Sequence, residues 1–113
     1  MTVRQLITSG LFNVVNEGRD TERSITRPYC CDLLSIAMGR APAGSAWVTV
    51  MGNMNTLAVA SLADVACVIM AEGMKLDDEA VKKARIQDIT VLETELPEFD
   101  AALKIFQELT NEA

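Results

Sequence analysis

The sequence predicts an α/β fold: a mainly parallel sheet flanked by helices, with a βαβαβα core from Ala46 onward and an N-terminal helix and extra edge strands before it. Three observations predict it. Runs of apolar or β-branched residues at 46–51 and 66–70 read as strands buried on both faces. Each is followed by a glycine turn, Gly52-Asn53-Met54 or Glu72-Gly73, and then by a segment with helical spacing. Such alternation with short loops argues parallel strands joined by right-handed crossovers.

From the start, Thr2 caps a helix over residues 3–8, with Leu6 and Ile7 inward and Gly10 ending it. Residues 11–15 are a short β-rich run, and the polar stretch 16–22 with Gly18 is a turn or loop. Residues 23–31 alternate loosely around Pro28, which confines them to an edge or irregular strand. Asp32 is the expected N-cap of a helix over 33–38, and GRAPAG at 39–44 is a loop by composition. The strand at 46–51 carries β-branched Val48, Thr49 and Val50. After the Gly52 turn, Asn55 is the expected cap of a helix through Leu62, with Leu57, Ala58, Ser61 and Leu62 at helical spacings. Residues 66–70 form a central strand. Asp77 or Asp78 caps a helix over 79–86, with Val81, Ala84 and Arg85 on one stripe and Lys82 and Lys83 outside it. A short strand spans 90–93. Leu96-Pro97 opens the last helix, where proline's missing N–H costs nothing. Phe99, Ala102, Leu103 and Phe106 fall at i, i+3, i+4, i+7, an amphipathic stripe, and the tail after Leu109 should fray.

A length of 113 residues predicts one domain, 1–113, and half the residues are hydrophobic, enough for one core. The net charge of −6 argues against nucleic acid and anionic membrane as partners, since Arg19, Arg23, Arg27 and Arg40 are scattered among acids. Three cysteines, no histidine and no apolar leader in MTVRQLITSG predict reduced thiols in a cytoplasm. Residues 56–71 approach the length of a membrane span, but Ser61 and Asp64 interrupt them, so a buried βαβ unit is the better reading.

No catalytic constellation emerges. Asp64, Glu72, Asp77 and Asp78 lie near predicted turns, and Ser35 and Ser45 have no base to activate them. Asp77, Asp78 and Glu79 read as helix-start acids. Iron–sulfur clusters usually need four thiolates; Cys30 and Cys31 point to opposite faces of an extended chain, and Cys67 lies in a buried strand. No cofactor and no metal site is expected. The glycine turns are the better candidates, because both fall at the carboxyl edge of a parallel sheet, where α/β folds bind ligands. Gly52, Asn53, Met54, Asn55, Glu72 and Gly73 are the candidate ligand-binding residues, for a nucleotide or phosphate held by N–H groups at a helix start. Glu72 would repel phosphate, neither turn is a P-loop or dinucleotide fingerprint, and glycines there can serve the turn alone. Met51, Met54, Met70 and Met74 gather at the same predicted edge, as methionines do both in cores and at adaptable interfaces.

With these residues in view, most of the chain, 3–109, resembles the DRTGG domain family. Similar domains include the N-terminal part of HPr kinase and a module inserted between CBS domains in some pyrophosphatases. The family's Gly-Asp-Arg and Thr-Gly-Gly turns correspond to Gly52-Asn53-Met54 and Ala71-Glu72-Gly73. Each keeps one glycine; the Asp-Arg pair and the Thr are absent, which removes the obvious charge partner for phosphate. DLLS at 32–35, WVTV at 47–50 and ITVLET at 89–94 match in order and spacing. YCCDLLS and MGNMN resemble a stand-alone subgroup found beside iron-only hydrogenase or related iron–sulfur redox genes. The resemblance implies a homodimeric, non-catalytic regulatory or interaction module, with a redox-enzyme subunit or a histidine-kinase-like signalling protein as partner. The alternative it offers is a small-ligand domain for adenine nucleotide or phosphate, and after that an iron–sulfur-binding redox component.

Overall fold

In the computed structural model, which describes residues 1–111, five strands form one sheet. They are β1 (Asn13–Asn16), β2 (Pro28–Cys30), β3 (Ala46–Thr49), β4 (Cys67–Met70) and β5 (Val91–Glu93), in the order β1-β5-β4-β3-β2. β2 to β5 are parallel, and β1 closes the far edge antiparallel to β5. The α/β fold, mainly parallel and flanked by helices, is as expected. The parallel part begins one strand earlier than the sequence predicts. Pro28 opens β2 at the sheet edge, where its missing N–H breaks no interior ladder, and β2 is too short to carry a strong signal.

Side chains alternate across the sheet and define two cores. Ala46, Val48, Cys67, Ile69 and Leu92 face α1 (Val3–Thr8) and α5 (Glu98–Asn111). Trp47, Val68, Met70 and Val91 face α2 (Leu34–Arg40), α3 (Met54–Ala63) and α4 (Asp78–Ile86). The result is three layers. Because β2 to β5 are neighbours in chain order, their three crossover helices all fall on one side. The strand order therefore never reverses among the parallel strands, and the crevice of a doubly wound sheet does not arise. After β5 the chain crosses the carboxyl edge through residues 94–97 and lays α5 on the opposite face. The crossing is pinned to the end of β4: Glu72 N donates to Leu96 O (2.9 Å) and Gly73 N to Thr94 O (3.0 Å).

Local chemistry explains most boundaries. Thr2 and Gln5 form the capping box of α1, with reciprocal bonds of 3.1 and 2.8 Å. Five expectations need correction. Asp32 does not cap α2; Leu33 holds that position without a side-chain bond, because the Asp32 carboxylate is drawn to the end of β3. Gly39 and Arg40 belong to α2, so the loop is shorter than GRAPAG. Asn53, not Asn55, caps α3, its side-chain oxygen accepting from Asn55 N (2.9 Å) and Thr56 N (3.3 Å). The buried face of α3 is Thr56, Leu57, Val59 and Ala60, while Leu62 is 73% exposed. α5 continues to Asn111, past the expected fraying point; residues 112–113 lie outside the described residues. Among the described residues no helix is long and apolar enough to cross a membrane.

Candidate functional site

The two glycine turns lie at the carboxyl ends of β3 and β4, as expected, and their backbone groups are already engaged. Gly52 O accepts from Asp77 N (2.8 Å), tying the first turn to the start of α4. Thr56 Oγ1 closes the turn on Met51 O at 2.7 Å. The Asn53 side chain takes two of the N–H groups that an anion would use at the start of α3. Glu72 and Gly73 both have positive φ, 60° and 72°, and Gly73 lies against the Glu95 carboxylate. Asn55 is exposed and Met54 half-exposed, so these two project from the edge without a structural task.

A second group at this edge went unremarked in the sequence. Asp32 Oδ1 accepts from Thr49 Oγ1 (2.8 Å) and Val50 N (3.0 Å), fastening the β2–α2 connection to the end of β3. Glu72 Oε2 accepts from Glu98 N (3.1 Å), which satisfies a donor in the first turn of α5. The Glu98 carboxyl lies within hydrogen-bonding reach of Asp32. Burial first, then Asp32 and the Glu72 charge, push Glu98 up to about 7. No local signal in the sequence joins Asp32, Glu72 and Glu98; only the crossing at 94–97 brings them together.

The remaining candidates are dispersed. Cys30 is exposed on the α5 side of β2, Cys31 packs toward the Trp47 core and donates to Leu33 O (3.3 Å), and Cys67 is buried. Burial pushes the Cys67 thiol up to about 12, and burial followed by Glu98 and Asp32 raises Cys30. Both are held as thiols. Among the described residues no group of three or more His, Cys, Asp or Glu side chains could hold a metal ion. Asp64 ends α3 in the left-handed region and is clasped by Arg23 at 2.7 and 3.0 Å, which holds its carboxyl below the usual range. It serves an ion pair at the amino edge, where it borders a hollow of 160 Å³.

The stripe on α5 departs furthest from expectation. Phe99 and Phe106 are 71% and 56% exposed; the helix seats itself through Ala101 and Ile105 instead. Phe99, Ala102, Leu103 and Phe106 line one wall of a groove of 470 Å³, with Pro28, Tyr29 and Cys30 of the edge strand on the other. A smaller hollow of 270 Å³ lies beside Met54, between α3 and α4, and gathers Lys82, Lys83 and Ile86.

No family model and no curated protein matches the chain. Among solved structures, it is similar to the CBS and DRTGG domains of the regulatory region of a Clostridium perfringens pyrophosphatase, complexed with its activator diadenosine tetraphosphate. The TM-score is 0.71 at 13% identity, covering 92% of this chain and 45% of the other, so this chain spans less than half of that structure. The likeness is one of fold, and the fold is DRTGG-like.

Proposed function

We propose that the protein is a non-catalytic regulatory module that works as a homodimer through the α5 groove. The observation that carries this reading is an apolar stripe whose large members, Phe99, Leu103 and Phe106, lie outside the chain's own core. Its four α5 residues map onto themselves when the helix is reversed: 99 meets 106 and 102 meets 103. Such a surface suits an isologous contact between two antiparallel copies. Across that seam Glu98 faces Gln107 and Lys104 faces Ala101, so no like charges oppose each other in a chain of net charge −6. Light scattering at micromolar concentration should give a dimer. Leu103→Glu places two carboxylates at the seam's centre and should give a monomer that stays folded, because Leu103 is outside the core. A monomeric wild-type protein would overturn the reading. Location in a reducing cytoplasm and docking to a redox-enzyme subunit, such as an iron-only hydrogenase component, or to a histidine-kinase-like signalling protein belong to the same proposal. They rest on the resemblance of YCCDLLS and MGNMN and on the unpaired thiols. Anaerobic capture from the native host, with mass analysis of what is retained, tests them.

A second reading is a small-ligand site for an adenine nucleotide at the carboxyl edge, built from Gly52, Asn53, Met54, Asn55, Glu72 and Gly73. Two observations favour it. The structural relative is bound to diadenosine tetraphosphate. The hollow beside Met54 adds Lys82 and Lys83, cations that offset the missing arginine, and Ile86, an apolar surface for a base. Millimolar ATP, AMP or diadenosine tetraphosphate should then raise the melting temperature, and Lys82→Glu with Lys83→Glu should abolish the rise. No rise with any of them removes this reading.

A further inference from the structure

The start of α5 is fastened by an arrangement that makes sense only with a proton in it. Glu98 Oε1 is enclosed by protein and has no hydrogen-bond donor. Its neighbour within reach is the Asp32 carboxyl group, which as a carboxylate is also only an acceptor. Two facing acceptors repel, and an enclosed oxygen without a donor is costly. One shared proton resolves both problems. Asp32 Oδ1 already receives Thr49 Oγ1 and Val50 N, whereas Glu98 Oε1 receives nothing, so the proton resides on Glu98 and is donated toward Asp32.

We propose that Asp32 and Glu98 share one proton as a latch, holding the start of α5 against the ends of β3 and β4, and that losing it loosens that end of the helix. The surroundings favour the neutral form. From β2 the Cys30 thiol faces the pair, and from the β4–α4 turn Glu72 adds a negative charge. Glu93, at the end of β5, is paired with Lys75 at 2.9 Å, and the Lys75 charge also offsets Glu95 on the crossing. The N-terminal dipole of α5 opposes the neutral form, since it favours an anion at Glu98. Glu98 is adjacent to Phe99, so the latch also positions one end of the α5 groove; that consequence rests on the homodimer reading, while the latch itself does not.

The sign follows from the direction of the shift. Glu98 is raised from 4.5 to about 7 in the folded protein. The stabilisation is complete below its unfolded value and is lost as pH rises through about 7. Glutamine supplies an N–H donor with no charge at any pH. The Glu98→Gln variant should therefore melt higher than wild type at about pH 8 and close to level with it at about pH 4, below the unfolded value. In carbon-detected NMR the wild-type Glu98 carboxyl should titrate near neutrality. A midpoint in the ordinary carboxylate range, or a variant that follows wild type at both pH values, overturns the latch. Both readouts report on Glu98 in monomer or dimer, so they are independent of the oligomeric state.

Discussion

A methyl group on Gly52 would be driven into the Lys75 carbonyl oxygen and would sit 3.1 Å from its carbon. The backbone at Gly52 is not in the left-handed region, so glycine is needed there for close approach of two chain segments. Gly39 is the reverse case: it lies within α2 and a Cβ there meets nothing within 4 Å. Gly52→Ala should cost about 2 kcal/mol or more, because both neighbours are backbone and cannot yield cheaply. Gly39→Ala should instead add about 0.5 kcal/mol by limiting the unfolded chain. Urea titration followed by Trp47 fluorescence measures both, since the buried indole reports on the core. Equal effects at the two positions would refute the distinction. Gly52 was legible in the sequence as a turn; that its task is approach to Lys75 was not, because the partner is distant in the chain.

Among the elements, α3 tests how far capping rules reach. Asn53→Ala should cost about 1 kcal/mol, because Asn55 N and Thr56 N lose their acceptor, while Asn55→Ala should be close to neutral. The same titration distinguishes them, and a larger loss at Asn55 would contradict the observed cap. Both asparagines are plausible caps on residue type, and only the position of the first helical turn separates them. The sequence made the helices and strands legible because their signals are local: glycine turns, β-branched runs, caps and the stripe on α5. It misled on which faces α3 and α5 bury. α3 is apolar on several sides and lies in the middle of the α2–α3–α4 layer, so periodicity marks no single face. α5 lies over β2 and β3 through Ala101 and Ile105, small enough or thin enough to allow close approach, and leaves its aromatic stripe outside. Amphipathicity says that an apolar face will be covered, not that the same chain covers it. Asp32 likewise read as a cap because its competing donors, Thr49 Oγ1 and Val50 N, come from another strand.

At the scale of the molecule, one topological fact organises the rest: β2 to β5 run in chain order, which commits one face to α2, α3 and α4 and leaves the other to α1 and α5. The second face is closed only after β5, when the chain crosses the carboxyl edge at 94–97. The crossing places Glu98 against Asp32 and covers Cys67 with α5's core. Cys67 therefore reports whether that face opens alone or with the whole protein. It is fully buried, and its thiol is pushed up to about 12, so it is neither accessible nor ionised in the folded state. In the monomeric Leu103→Glu variant Cys30 stays exposed on the edge strand of the same face and serves as an internal reference. If α5 and the sheet unfold as one unit, alkylation at Cys67 proceeds only through global opening. It should then be about a thousandfold or more slower than at Cys30, given the stability usual for a small domain. Its rate should climb with urea along the slope of equilibrium unfolding, while the Cys30 rate stays nearly flat. Mass analysis of the peptide containing Cys67 separates it from the adjacent Cys30-Cys31 pair. A Cys67 rate close to that of Cys30, or one insensitive to urea, would mean that α5 lifts on its own, and the two faces would then be separate cooperative units.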